Sequence, residues 1–135
     1  MNGNKILIDT SIWINYFRNK SDTFSRQVDN LLSQNQIYVP RIVIAELIQG
    51  AKSDREVAAV KEFLEAFHII DQKEDAWIRA GELSYNLKKK GKRVNLTDCY
   101  ITIIAEQCGC KIFTLDEHFR EIIKVIDLEL VEAIE

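Results

Sequence analysis

The chain has 135 residues, of which 47% are hydrophobic and 29% charged, so it is expected to fold as one soluble domain over residues 1–135. The 18 lysines and arginines are outnumbered by 21 aspartates and glutamates, and the net charge of −3 excludes binding of nucleic acid through overall positive charge. No apolar run reaches the length of a signal peptide or a membrane span, which makes a cytoplasmic protein the default expectation.

The first predicted element is a buried strand that ends at a carboxylate. The run Lys5–Ile8 contains three consecutive apolar residues, which is typical of a strand buried on both faces in a parallel sheet. Asp9 follows at once, and ligands collect at the carboxyl ends of such strands. Asp9 is therefore a candidate site residue. The alternative is that its side chain only caps the helix predicted over 11–18.

A single acid stands out in the next part of the chain. Apolar spacing predicts a helix at 23–33, a strand at 37–39 and a helix at 41–51 that is apolar nearly all round. Glu46 is the only acid of that last helix. An ionised carboxylate in apolar surroundings is costly unless it is paired or bound to a metal. Glu46 is a second candidate, and exposure to water is the alternative.

A basic run follows three further predicted elements, namely a helix at 54–67, a strand at 68–70 and a long helix at 73–90. The run extends from Lys88 to Arg93 and contains Gly91. One interpretation is a solvated helix end with a glycine cap, where the helix dipole favours cations. The other is a patch that contacts phosphate groups.

A second strand leading to an acid closes the pattern. Asn95 or Thr97 can cap a helix over 99–107, which places Asp98 in the first turn, where the dipole favours an acid whatever its function. The segment from 111 to 116 again runs from apolar residues into a carboxylate, Asp116. A short helix at 117–122 and an edge strand at 124–126 complete the prediction.

The alternation of short strands and helices predicts an α/β fold, with a short parallel sheet between helical layers in a three-layer α/β/α arrangement. Right-handed crossovers bring the strand ends Asp9 and Asp116 to one edge. If Glu46 and Asp98 reach the same place, the four carboxylates repel one another unless a cation is present. Oxygen ligands favour Mg²⁺ or Mn²⁺, and such an ion can activate water and stabilise charge on a phosphodiester.

Other chemistries on this architecture fit less well. A haloacid-dehalogenase-like phosphatase needs a second aspartate two residues after the first, where this chain has Ser11. The acidic pair and late lysine of a receiver domain are not evident either. The sequence has neither GxxxxGK[ST] nor GxGxxG, so these nucleotide-binding loops are absent.

The chain resembles the PIN domain family, and within it the VapC ribonuclease toxins of toxin–antitoxin pairs. The resemblance rests on the opening segment from Ile8 to Arg18, on Glu46, on Asp98, and on the closing segment from Thr114 to Phe119. It spans residues 5–125. One departure concerns His118, because many relatives carry a further aspartate at that place.

The resemblance implies a PIN-like fold and a Mg²⁺- or Mn²⁺-dependent endoribonuclease. The acids that would hold the metal are Asp9, Glu46, Asp98 and Asp116. The hydroxyl groups that would orient these ligands belong to Thr10, Ser11 and Thr114. His118 is expected near the site without being a ligand, and His68 is expected to be structural.

The resemblance also implies an RNA substrate, a homodimer and an antitoxin that blocks the site. Under this hypothesis Arg18, Lys20 and the run from Lys88 to Arg93 present a locally positive surface to RNA. The individual residues expected to bind RNA are Arg18, Lys88, Lys89 and Lys90. The apolar residues at 42–48 then belong to a dimer face, an antitoxin groove or the core. The main alternative is a non-catalytic PIN-fold module that binds RNA or a protein, and a housekeeping RNA-processing nuclease differs only in substrate and partner.

Overall fold

A computed structural model describes residues 4–18 and 23–132, so that Lys20 lies outside the described residues. In this part of the chain seven helices alternate with five strands. The strands are β1 (Lys5–Ile8), β2 (Gln36–Pro40), β3 (His68–Ile70), β4 (Lys111–Phe113) and β5 (Leu130–Val131). The helices are α1 (Thr10–Arg18), α2 (Thr23–Gln34), α3 (Arg41–Gln49), α4 (Asp54–Leu64), α5 (Ala76–Lys89), α6 (Leu96–Cys108) and α7 (His118–Ile122).

The five strands form one parallel sheet in the order β3-β2-β1-β4-β5. Strand β1 is central, and its Leu7 lies opposite Tyr38 of β2 on one side and Ile112 of β4 on the other. The chain adds β2 and β3 on one side of β1 and then returns to add β4 and β5 on the other. The direction of winding therefore reverses between β1 and β4, which is where open α/β sheets leave a crevice for ligands. The predicted three-layer α/β/α class is confirmed.

One predicted strand is wrong. Residues 124–126 do not pair with the sheet but form turns after α7, because the N–H of Val125 bonds to the carbonyl of Ile122 at 3.1 Å and is not available to a ladder. The edge strand lies a few residues later, where Val131 of β5 pairs with Phe113. A three-residue apolar pattern cannot distinguish such a turn from a short strand.

The core includes both faces of the central strands, as the continuous apolar runs predicted. Leu7, Ile8 and Ile112 are fully buried. Helix α6 is buried from Asp98 to Ala105, since it packs against α5, α7 and β4. Asp98 therefore lies in the interior, on the most enclosed helix of those described.

None of the described helices combines the length and apolar character needed to cross a membrane.

The apolar residues of α3 belong mostly to the core. Val43 and Leu47 are buried, and Ile42, Ile44 and Ile48 pack partly buried against the same core. The core alternative therefore holds for Val43 and Leu47, while Ile42, Ile44 and Ile48 keep part of their surface accessible.

Aromatic packing holds α1, the helix that begins directly behind Asp9. The Trp13 ring is fully buried and stacks on Phe17 at 5.8 Å between centroids. It also meets Phe63 of α4 at 5.9 Å and Phe67 at 5.8 Å. These contacts fix the position of α1, and with it the start of the helix at the crevice.

Helix α5 ends in the glycine cap that one interpretation of the basic run predicted. Gly91 has a φ of +77°, a left-handed conformation that disfavours residues with a Cβ. The Lys92 N–H reaches back to the Leu87 carbonyl at 2.9 Å, and the Gly91 N–H reaches the Lys88 carbonyl at 3.0 Å. The backbone thus turns sharply here and runs on toward α6.

Candidate metal centre

The four predicted acids converge at the crevice between β1 and β4. We call them the acid cluster: Asp9, Glu46, Asp98 and Asp116. The pKa of Asp98 is raised to about 7, mainly by burial and in addition by the negative charges of Asp116, Asp9 and Glu46. Asp116, Asp9 and Glu46 are therefore all close enough for their charges to act on Asp98.

Asp9 is the most enclosed member, with 5% of its surface exposed. Its Oδ2 accepts hydrogen bonds from Thr114 Oγ1 at 2.8 Å and from Ser11 Oγ at 3.0 Å. The backbone N–H groups of Thr10 and Ser11 also contact the carboxylate, so Asp9 caps α1 as well as joining the cluster. Burial raises the pKa of Asp9, and these hydrogen bonds offset part of that rise.

Hydroxyl groups tie the acids to one another. Thr114 Oγ1, which donates to Asp9, also accepts the backbone N–H of Asp116 at 3.0 Å and so connects the ends of β1 and β4. Ser11 Oγ accepts the Leu115 N–H at 3.0 Å. Thr10 Oγ1 donates to Glu46 Oε1 at 2.7 Å, and this links α1 to α3. The three hydroxyl groups that the resemblance implied all contact the cluster.

Asp98 is positioned by the N-cap of α6, where the Asn95 side chain accepts the Asp98 N–H at 2.8 Å. Asp98 is 7% exposed, and its Oδ2 accepts no hydrogen bond from any residue that the structure describes. Protonated Asp98 can instead donate to Asp116, which is one reason why its pKa is raised. A buried ionised oxygen without a donor is costly, and a cation would supply the missing partner.

His118 also belongs to this site. Its Nδ1 lies 3.4 Å from Asp116 Oδ1 and 3.8 Å from Asp98 Oδ2. Ligand-capable atoms of Asp98, Asp116 and His118 all lie within 4.8 Å of one another, a spacing that could hold a metal ion. The sequence analysis left His118 out of the ligand set, and the structure places its imidazole among the atoms that could bind. His68, in contrast, stacks on Tyr38 at 4.8 Å between ring centroids in the sheet.

The predicted RNA-contacting cations fall into two groups. Arg18 lines a cavity of about 50 Å³ together with Glu46, and Lys88 lines one of about 610 Å³ together with His118. Lys89 instead lies over the Tyr85 ring, 5.0 Å from its centroid, and neither it nor Lys90 lines these two cavities.

The larger cavity is also lined by Lys92 and Arg93, which the sequence analysis included only as part of the basic run and did not name individually. Both belong to the basic run, which was the only signal for them. Their position follows from the turn at Gly91, and the charge pattern alone could not reveal it.

Comparison with known proteins matches the PIN domain profile to residues 6–125. Ribonuclease VapC11 of Mycobacterium tuberculosis is 27% identical over 128 residues, covering 92% of this chain and 96% of that protein. The tRNA(fMet)-specific endonuclease VapC of Salmonella typhimurium is 26% identical over 82% of this chain and 85% of its own length. The crystal structure of DNA-bound VapBC from Salmonella typhimurium superposes with a TM-score of 0.77 at 27% identity, covering 96% and 98% of the two chains.

Proposed function

The chain belongs to the PIN domain family, and from this premise we propose that it is a metal-dependent endoribonuclease that hydrolyses RNA phosphodiester bonds as the toxin of a toxin–antitoxin pair. The observation that carries the proposal is the convergence of four carboxylates at the crevice between β1 and β4. The similarity to ribonucleases over nearly the whole chain supports the same reaction.

The acid cluster fits Mg²⁺ or Mn²⁺, and we propose Asp9, Glu46, Asp98 and Asp116 as its ligands. The donor set is mainly carboxylate oxygen, which these hard cations prefer. The orphaned Oδ2 of Asp98 and the mutual repulsion of the acids are both relieved by a positive ion. When bound, such an ion lowers the pKa of water and offsets charge that develops on the phosphodiester.

The surrounding side chains prepare the cluster for that task. Ser11 and Thr114 hold the Asp9 carboxylate in one orientation, and Thr10 holds Glu46. Arg18 shares a cavity with Glu46, and Lys88 shares another with His118, and both cations are proposed to contact the RNA backbone. The positions of Lys89 and Lys90 favour a weaker contribution from these two residues than from Lys88.

We also propose that a cognate antitoxin binds the protein, that the protein forms homodimers, and that it acts in the cytoplasm, where cellular RNA is translated. The similarity to VapBC, a toxin–antitoxin type of complex, supports the proposed antitoxin partner.

The proposed homodimer is supported by an exposed apolar surface on α5. Ile78 and Tyr85 of this helix are 69% and 61% exposed and offer the kind of apolar surface that a second copy covers. Sedimentation of the purified chain measures the oligomeric state directly.

Cleavage of total cellular RNA by the purified, partner-free protein tests the proposed activity. We expect discrete fragments with Mg²⁺ or Mn²⁺ and none after addition of chelator. A rise in melting temperature with Mn²⁺ without any RNA cleavage would support the metal site. It would also mean that the substrate is not among the RNAs offered. The absence of both cleavage and a metal-induced thermal shift would favour the non-catalytic interaction module.

Removing one hydroxyl group should weaken the metal centre without removing a carboxylate. Thr114→Val deletes the donor to Asp9 and the acceptor for the Asp116 N–H, so Mn²⁺ affinity should fall about 10- to 100-fold. Calorimetric titration of metal-free protein measures this loss. Thr102→Val is the matched control, because its hydroxyl group bonds to the Asp98 carbonyl within α6. Equal losses in both variants would contradict the role given to Thr114.

His118→Asp tests whether the imidazole affects the choice of metal. Imidazole suits transition metals better than Mg²⁺, whereas carboxylate suits Mg²⁺ and Mn²⁺. Since Nδ1 lies 3.4 Å from Asp116 Oδ1, we expect the variant to bind Mg²⁺ more tightly and its preference for Mn²⁺ over Mg²⁺ to fall by about 10-fold. Thermal shifts across titrations of both ions measure the ratio. An unchanged ratio would place His118 outside the ligand set.

A further inference from the structure

A cavity of about 610 Å³ opens beside the acid cluster, between the end of α5 and the start of α6. We call it the basic cavity, and it is lined by Ser84, Lys88, Lys92, Arg93, Val94, Asn95 and His118. We propose that the basic cavity binds a phosphate group of the RNA backbone, next to the phosphodiester that is cut at the acid cluster. This inference rests on the proposed function and adds to it a defined contact for the substrate.

The backbone that carries Lys92 and Arg93 is held at both ends. On one side the glycine cap of α5 holds it, with the Lys92 N–H bonded to the Leu87 carbonyl at 2.9 Å. On the other side Val94 is 8% exposed, and the Asn95 side chain caps α6. Because the chain is already ordered at these positions, the binding of a phosphate has to order only the two side chains.

The lining of the basic cavity is positive. Three of its seven residues are Lys88, Lys92 and Arg93, and none of the seven is an acid. Lys92 Nζ lies 3.4 Å from Glu121, but both side chains are partly exposed and Glu121 also pairs with Lys124 at 2.9 Å. Such an exposed pair is weak, so a phosphate can compete for Lys92. Arginine adds the two-pronged donor geometry that phosphate oxygens match.

The basic cavity is continuous with the acid cluster through two shared residues. His118 lines the cavity while its Nδ1 contacts Asp116 at 3.4 Å, and Asn95 lines it while its side chain caps the N–H of Asp98. An RNA strand with one phosphodiester at the cluster therefore passes the cavity with an adjacent nucleotide. The volume lies within the range of small-molecule sites and accommodates a phosphate with its sugar. The N-terminus of α6 adds positive potential at the same place.

The test compares two pairs of substitutions within the same basic run. Lys92→Gln with Arg93→Gln removes two cations from the basic cavity, and Lys89→Gln with Lys90→Gln removes two that do not line it. Binding is measured by fluorescence anisotropy of a short labelled single-stranded RNA in Ca²⁺ buffer at several salt concentrations. We expect the first pair to weaken binding by about tenfold and to flatten the salt dependence, and the second pair to do neither to that extent.

The outcomes separate this inference from the proposed activity. Equal loss in both pairs would overturn it, because binding would then follow net charge. Failure of the unmodified protein to bind the RNA would also overturn it, while a persisting Mn²⁺-induced thermal shift would leave the metal centre in place. Selective loss in the first pair without RNA cleavage by the unmodified protein would support the basic cavity and count against the nuclease. Retained RNA binding in Lys92→Arg would support the assignment of residue 92 as a cation that contacts phosphate, because arginine keeps the positive charge at that position.

Discussion

Asp9→Asn is expected to reduce RNA cleavage by about 10²- to 10³-fold or more while leaving the fold intact. Asp9 follows the central strand, is 5% exposed and accepts hydrogen bonds from Ser11 and Thr114. Asparagine keeps the shape of the side chain and an acceptor oxygen but removes the negative charge that would bind the metal. The rate of cleavage of a labelled RNA at saturating Mn²⁺ measures the effect.

Asp29→Asn provides the matched control for that experiment. Asp29 is an exposed acid of α2 that accepts the Tyr16 hydroxyl, so the same chemical change occurs far from the acid cluster. Its cleavage rate should equal that of the unmodified protein. Activity retained in Asp9→Asn, with normal melting of both variants, would remove Asp9 from the proposed ligands.

Asp98→Asn is expected to stabilise the metal-free protein. The ionised Asp98 carboxylate is buried, has an unpartnered oxygen and is repelled by three other acids, and asparagine removes the charge from this position. A rise of the pKa from 3.8 to about 7 corresponds to at most about 4 kcal/mol. A gain of even half that size raises the melting temperature by several degrees in a domain of this length. Calorimetry of chelator-treated protein measures the shift.

The pH dependence of stability follows from the same group. A carboxyl whose pKa is raised by folding binds its proton more tightly in the folded protein than in the unfolded chain. Its contribution is therefore fully present at a pH below the unfolded value of 3.8 and is lost as the pH rises through about 7. We expect the stability advantage of Asp98→Asn to be small near pH 4 and to grow toward pH 7.

Added metal should reverse the order of the melting temperatures of Asp98→Asn and the unmodified protein. Mn²⁺ should raise the melting temperature of the unmodified protein, because a ligand that binds only the folded state stabilises it, and should leave Asp98→Asn nearly unchanged. Asp54→Asn is the control, since Asp54 is also an acid in the first turn of a helix, at the start of α4, but is exposed. A variant of Asp98 that melts at a lower temperature and still responds to Mn²⁺ would exclude Asp98 from the site.

The amino-acid sequence by itself determined the elements and the class of fold. The buried strand from Lys5 to Ile8 and the apolar stripes of the helices are local patterns, since each depends on residues that are close in the chain. The alternation of strand and helix then allowed the parallel sheet to be predicted, and the sheet placed Asp9 and Asp116 on one edge. Even here the pattern failed at 124–126, where hydrogen bonds of a turn replaced the expected strand.

Only the tertiary structure decided which side chains meet. Helical position alone allowed Glu46 to face water and Asp98 to serve the helix dipole, and packing of α3 and α6 brought both to the crevice. The place of His118 beside Asp116 and the direction of Lys92 after the turn at Gly91 were equally undetermined by periodicity. Distances between residues far apart in the chain depend on how whole elements pack, and a local pattern carries no information about those distances.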